Sequence, residues 1–185
     1  TIVPVWANLL LLVLIYLTVY ATSMIYASLK TVARWYHPLT PVCYLMFAAA
    51  GGLLATLAML ALLGLPITAA LAQAGIVLML SAWGVKFAWW RLAGMATHAG
   101  SVESATGLGH LGTVKPLMPP HTEENYLQHE MGFVVARKHA DKLRIFAIGL
   151  GGVLPIIVLL VAPASSAALG FAVLSHVAGM FVERW

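Results

Sequence analysis

The chain has 185 residues, 62% of them apolar and only 9% charged, against roughly 45–50% and 25% in an average soluble domain. One water-facing fold cannot hide that much apolar surface, so the excess has to face lipid; a soluble enzyme, a disordered tail and a nucleic-acid module are excluded. The formal net charge of +4 is therefore read as a topology signal, and the single cysteine, Cys43, supports neither a disulfide framework nor a cysteine-ligated cluster within the chain.

The chain opens at Thr1 in an apolar run and ends at Trp185 just after another, as expected of a processed chain or a piece of a longer one. The first run lacks the basic flank of a secretory signal and is too long for a signal core. Five apolar runs are long enough to cross about 30 Å of hydrocarbon as helices. They are Ile2 to Leu29, Leu39 to Leu63, Leu65 to about Trp90 (interrupted only near its end by Lys86), Ile145 to Ala162, and Ala167 to Val182. Period-2 alternation is absent, which argues against barrel strands. Gly64-Leu65-Pro66 and Pro163-Ala164-Ser165-Ser166 mark two turns short enough to require antiparallel neighbours.

The sequence thus predicts an all-α polytopic membrane protein. Residues 1–90 form a three-helix transmembrane part, 91–144 a charged loop, and 145–185 a two-helix transmembrane hairpin. Of the 16 charged residues, all but Lys30, Arg34, Lys86, Glu183 and Arg184 fall in the loop. Five alternating crossings bring every charge to one side, which the positive-inside rule makes cytoplasmic. Thr1 is then outside and Trp185 inside a bacterial inner membrane.

Within the loop, Thr122 can cap a helix with Glu123 and Glu124 in its first turn. Leu127, Met131, Val134, Val135 and Lys138 follow at three- and four-residue steps, the pattern of an interfacial helix with one apolar face. It serves as a lipid anchor, a platform for a cytoplasmic partner, or both. Gly107-Leu108-Gly109-His110-Leu111-Gly112 matches G-x-G-x-x-G, but a dinucleotide site needs a strand before it and a helix after it; here it reads as a glycine-rich turn.

Of the seven histidines only His176 lies well inside a span, and one intramembrane imidazole cannot hold a bis-histidine haem. His176 reads either as a hydrogen-bond donor to a neighbouring helix or, with Glu183 seven residues on, as part of a proton relay. Ala48-x-x-x-Gly52 and Ala147-x-x-x-Gly151 are small-residue steps that let helices approach. Aromatic residues gather at the charged border (Trp35, Tyr36, Trp89, Trp90, Trp185), with Trp6 at the other. Near the end of the first run, Ser23, Tyr26 and Lys30 share a helical face, with Arg34 and His37 beyond. Such a polar cluster beside aromatic rings suits a quinone, which needs hydrogen-bond partners for its oxygens, a flat apolar slot and a proton route; snorkelling basic residues with an interfacial tyrosine are the plainer reading.

The stretch from Ala21 to Pro41, ATSMIYASLKTVARWYHPLTP, resembles the membrane-anchor subunit of dimethyl sulfoxide reductases (the DmsC-like family). So do Glu103 to Gly109, Pro119 to Thr122 with Asn125 to Leu127, Ala136 to Ala140, and the ending Val182 to Trp185. The long-loop form is similar to the anchor of membrane-bound sulfite dehydrogenases. The resemblance implies a complex in which a molybdopterin subunit handles the substrate, an iron–sulfur subunit relays electrons, and the anchor exchanges them with a quinone or quinol. Haem and metal are not expected in this chain, and neither is nucleic acid as a partner. Family anchors have eight helices, so the five here would be the last five. Tyr26 is the expected quinone contact, with Lys30 and Arg34 as acid or relay groups. A purely structural tether and, with fewer features in its favour, a small transporter are the alternatives.

Overall fold

A computed structural model of the chain describes residues 4–30, 32–95, 101–115, 117–118 and 138–184. Five helices in it are long and apolar enough to cross a membrane: α1 (Val5–Ala27), α2 (Leu39–Leu62), α3 (Ala69–Gly94), α5 (Ala140–Val161) and α6 (Ser166–Arg184). A single turn and a half, α4 (Val102–Thr106), lies between α3 and α5. The spanning helices have 19 to 26 residues, about 28 to 39 Å at 1.5 Å per residue. The chain is all-helical over these elements and is a multi-pass membrane protein.

The ends of the helices follow local chemistry. Gly64, at φ +68°, closes α2: its N–H bonds the Ala61 carbonyl and the Leu65 N–H reaches the Leu60 carbonyl, the paired bonds of a Schellman stop. Pro66 then keeps the chain extended until Thr68, whose hydroxyl accepts from the Leu71 N–H and starts α3. The third span therefore begins four residues later than apolarity alone predicts, and it continues past Trp90 to Gly94. Helix α5 likewise begins at Ala140, so the charge-defined loop of 91–144 overlaps helix at both ends. The amphipathic helix expected from Thr122 through Val135 lies outside the described residues, as does Trp185.

The core is built by α2, α3, α5 and α6. Phe47, Ala50, Leu54 and Leu57 of α2 pack with Met79, Ala82 and Trp83 of α3, Ala147 and Leu159 of α5, and Leu169 and Ala172 of α6. Helix α1 packs on α2 and turns a leucine-rich surface from Leu9 to Leu17 outward, where only hydrocarbon or another apolar surface can cover it.

Helix α5 is not regular. Residues Gly149–Val153 form a π turn, in which the Leu154 N–H bonds the Gly149 carbonyl. Pro155 has no N–H to give. The Leu150 and Gly151 carbonyls thus lose their helical donors, and α6 supplies replacements: the Ser175 hydroxyl donates to Leu150 at 2.7 Å and His176 Nδ1 to Gly151 at 2.6 Å. Glycines make this approach possible. A Cβ on Gly179 would overlap the Gly151 backbone, and one on Gly152 would overlap the Trp83 indole. The Ala147–Gly151 step thus sits at a close helix contact. In α2 the contact glycine is Gly51, which faces His176, whereas Gly52 has nothing near it.

Candidate functional site

One end of the bundle holds a partly open cavity of about 220 Å³. Its walls come from five pieces of chain. The last turn of α1 gives Tyr26, and the segment before α2 gives Trp35. Thr40, Cys43, Tyr44 and Phe47, at helical steps of three, one and three, form one stripe of α2. Lys86 and Trp89 come from successive turns of α3, and Glu183 and Arg184 end α6.

Aromatic rings dominate the walls. Tyr26 meets Trp35 edge to face at 5.1 Å and stacks on Tyr44 at 5.9 Å, arrangements that the ring quadrupoles favour. Trp89 donates its indole N–H to the Thr40 hydroxyl at 3.0 Å, and Thr40 donates in turn to the Trp35 carbonyl at 2.9 Å. That chain ties α3, the start of α2 and the α1–α2 connection into one rigid wall.

Three charges enter this aromatic setting. The Lys86 ammonium pairs with Glu183 Oε1, with side chains only 8% and 4% exposed. Lys86 also lies 4.0 Å from the centre of the Trp89 ring and 5.5 Å from that of Trp90. Arg184 stacks on Tyr44 at 3.9 Å, with its Nε 3.4 Å from Glu183 Oε2. That contact lacks hydrogen-bond alignment, and among the described residues Oε2 has no hydrogen-bond partner. A buried ion pair gains little net stability once desolvation is counted, whereas loss of one partner is costly. Ionisable groups inside a membrane are therefore candidates for function.

Of the residues expected to serve a quinone, Tyr26 lines the cavity; Lys30 and Arg34 do not. Both are exposed, and the Lys30 ammonium stands 6.0 Å from the Tyr36 ring centre. The two expected relay residues are separated as well. Glu183 lines the cavity, whereas His176, seven residues earlier and about 10 Å along the helix, is buried at the π turn of α5. Sequence reasoning left out Thr40, Tyr44, Lys86 and Arg184. Lys86 carried a usable signal, because a cation within an apolar run calls for a counter-charge, and Glu183 was the carboxylate at matching depth.

The glycine-rich stretch from Gly107 to Gly112 follows α4, and Ser101 and Ser104 form a capping box at the start of that helix. No strand precedes the stretch among the described residues, so the βαβ context of a dinucleotide site is missing. Among the described residues no three His, Cys, Asp or Glu side chains come together as a potential metal-ligand set.

Fold and cavity together define a multi-pass helical membrane protein with an aromatic, ion-paired pocket at one end of its bundle. The chain is similar to a subunit of the sulfite dehydrogenase of Allochromatium vinosum, with 27% identity over 168 residues. The matched region covers 89% of this chain and 51% of that protein, so the chain spans about half the length of the relative. No family model and no solved structure matches the chain.

Proposed function

We propose that the chain is the membrane subunit of an oxidoreductase, exchanging electrons between the quinone pool and partner subunits that carry iron–sulfur clusters and molybdopterin. Its similarity to a sulfite dehydrogenase subunit and its resemblance to dimethyl sulfoxide reductase anchors support this reading. In it, the five helices cross a bacterial inner membrane in alternating, antiparallel order. The interfacial helix and the charged loop then lie at the cytoplasmic face, beside the partner subunits.

The observation that carries the proposal is the cavity bounded by Tyr26, Tyr44, Trp35 and Trp89, with Lys86 and Glu183 inside it. Its volume of about 220 Å³ is below the roughly 300–1,000 Å³ of pockets for drug-sized ligands, which suits one substituted ring whose tail leaves into lipid. A quinone supplies two-electron, two-proton chemistry when bound. The chain's own groups bind and orient the ring. Tyr26 and Tyr44 present hydroxyls that both donate and accept, the tryptophans exclude water, and the Glu183 carboxylate accepts a hydrogen bond.

Tryptophan emission tests the proposal, because Trp35 and Trp89 line the cavity. Titrating the protein in lipid nanodiscs with a short-chain ubiquinone is expected to quench emission saturably, beyond partition into empty discs. Replacing Cys43, which also faces the cavity, with Trp should fill the space and abolish the saturable part. Quenching that never saturates, or that survives Cys43→Trp, overturns the quinone reading.

A further inference from the structure

Lys86 and Glu183 are not satisfied by each other alone. An ammonium has three hydrogens to give, and Lys86 directs one at Glu183 Oε1 while its other close neighbours are the ring faces of Trp89 and Trp90. A carboxylate is acceptor-only; Oε1 has Lys86, but among the described residues Oε2 has no hydrogen-bond partner. The nearest cation to Oε2 is turned onto a ring, since Arg184 stacks on Tyr44. A surplus donor and a surplus acceptor therefore stand side by side in one cavity wall, with Oε2 itself buried just behind the surface.

Arg184 is stacked on the Tyr44 ring and the Cys43 thiol is a weak donor, and the remaining polar groups of the cavity leave the choice between ligand forms chiefly to the Lys86–Glu183 pair. The Trp89 N–H is used by Thr40, and the Thr40 hydroxyl hydrogen by the Trp35 carbonyl. The Tyr26 and Tyr44 hydroxyls rotate to donate or accept, so they favour neither form. An oxidised quinone ring presents only acceptors, its carbonyl oxygens; the reduced ring presents hydroxyls, whose oxygens still accept but whose hydrogens need an acceptor. A wall of donors alone would satisfy the first and leave the hydroxyl hydrogens of the second unpaired.

We propose that Lys86 and Glu183 together let the cavity hold both redox forms of a quinone ring, Lys86 by donating to a carbonyl oxygen and Glu183 by turning its buried carboxylate to accept from a hydroxyl. The inference rests on the quinone reading above and adds the residues that distinguish the two forms. Each residue is a specificity determinant, and removing one changes the ratio of the two affinities. The existing ion pair holds both side chains in place until a ring arrives.

Calorimetry in lipid nanodiscs under argon, with ubiquinone-1 and ubiquinol-1 as probes and empty discs as reference, measures the two affinities separately. Glu183→Gln is expected to weaken the quinol about tenfold and the quinone less than about twofold, as loss of one charge-assisted bond implies. Lys86→Met is expected to do the reverse. The double variant Lys86→Met/Glu183→Gln leaves no unpaired buried charge and should weaken both forms while returning their ratio to that of the unaltered protein. It also keeps the test decisive should Lys86→Met alone fail to give native helical circular dichroism. Equal weakening of both forms by Glu183→Gln, or a double variant whose ratio departs from the unaltered protein, overturns the assignment while the quinone reading stands. Binding of neither form by the unaltered protein removes the quinone reading itself.

Discussion

His176 donates its Nδ1 hydrogen to the Gly151 carbonyl at 2.6 Å, the carbonyl that Pro155 leaves without a helical donor. The carbonyl can only accept, so the proton sits on Nδ1. An imidazole in a membrane helix is thereby explained by a proline in the neighbouring one: α6 repairs a backbone defect of α5. His176→Ala is expected to leave that carbonyl unpaired in an apolar interior and to cost about 1–3 kcal/mol. His176→Asn, which keeps a donor, should recover part of the loss. Denaturant unfolding in mixed micelles reads both, and an unaltered midpoint for His176→Ala would show that the bond contributes nothing to stability.

The same helix pair depends on Gly179, whose position leaves no room for a side chain against the Gly151 backbone. Gly179→Ala is expected to push α5 and α6 apart and destabilise the protein by about 1–3 kcal/mol. Gly52 provides the contrast. It belongs to an equally suggestive small-residue step, yet among the described residues nothing lies within 4 Å of a Cβ placed there. Gly52→Ala should therefore be neutral, or stabilising by up to about 1 kcal/mol through helix propensity. Thermal denaturation of the two variants side by side checks the pair.

These two glycines also show what the sequence can and cannot reveal. Apolar runs and the Gly64-Leu65-Pro66 turn made the five helices legible, because length, hydropathy and turn chemistry are local properties. Which glycine of a helix touches a neighbour depends on rotation about the helix axis. The apolar residues of a lipid-facing helix do not mark that rotation, since its outer face is as greasy as its inner one. The cavity was legible only in part for the same reason. Tyr26 was visible beside its aromatic neighbours, but its real companions, Tyr44, Lys86 and Arg184, come from three other helices. Lys30 and Arg34 share its stretch of sequence, yet they follow the chain out to the surface as α1 ends at Ala27.

The proposed orientation rests on charge, and Lys115 is well placed to test it. Lys115 is exposed in the segment between α3 and α5, on the side where the basic residues collect. If that side is cytoplasmic, a membrane-impermeant amine reagent should leave Lys115 unmodified in intact cells and modify it in inverted vesicles. Peptide mass mapping of the labelled protein distinguishes the cases. Labelling from outside intact cells would reverse the orientation and move the cavity to the opposite face from the proposed partner subunits.

Tyr26 is the remaining test, because it joins the sequence reading to the cavity. Its ring is held between Trp35 and Tyr44, and Phe would keep both packing contacts while removing the hydroxyl. Tyr26→Phe in the assembled oxidoreductase is therefore expected to preserve stability and slow quinone-linked turnover severalfold, as the loss of one hydrogen bond of about 1 kcal/mol implies. Electron delivery from an artificial dye directly to the partner subunits bypasses this chain and should be unaffected. Comparing the two assays on one preparation isolates the hydroxyl. Equal loss in both would mean that Tyr26 supports assembly, and loss in neither would mean that the ring oxygen is held by other groups of the cavity.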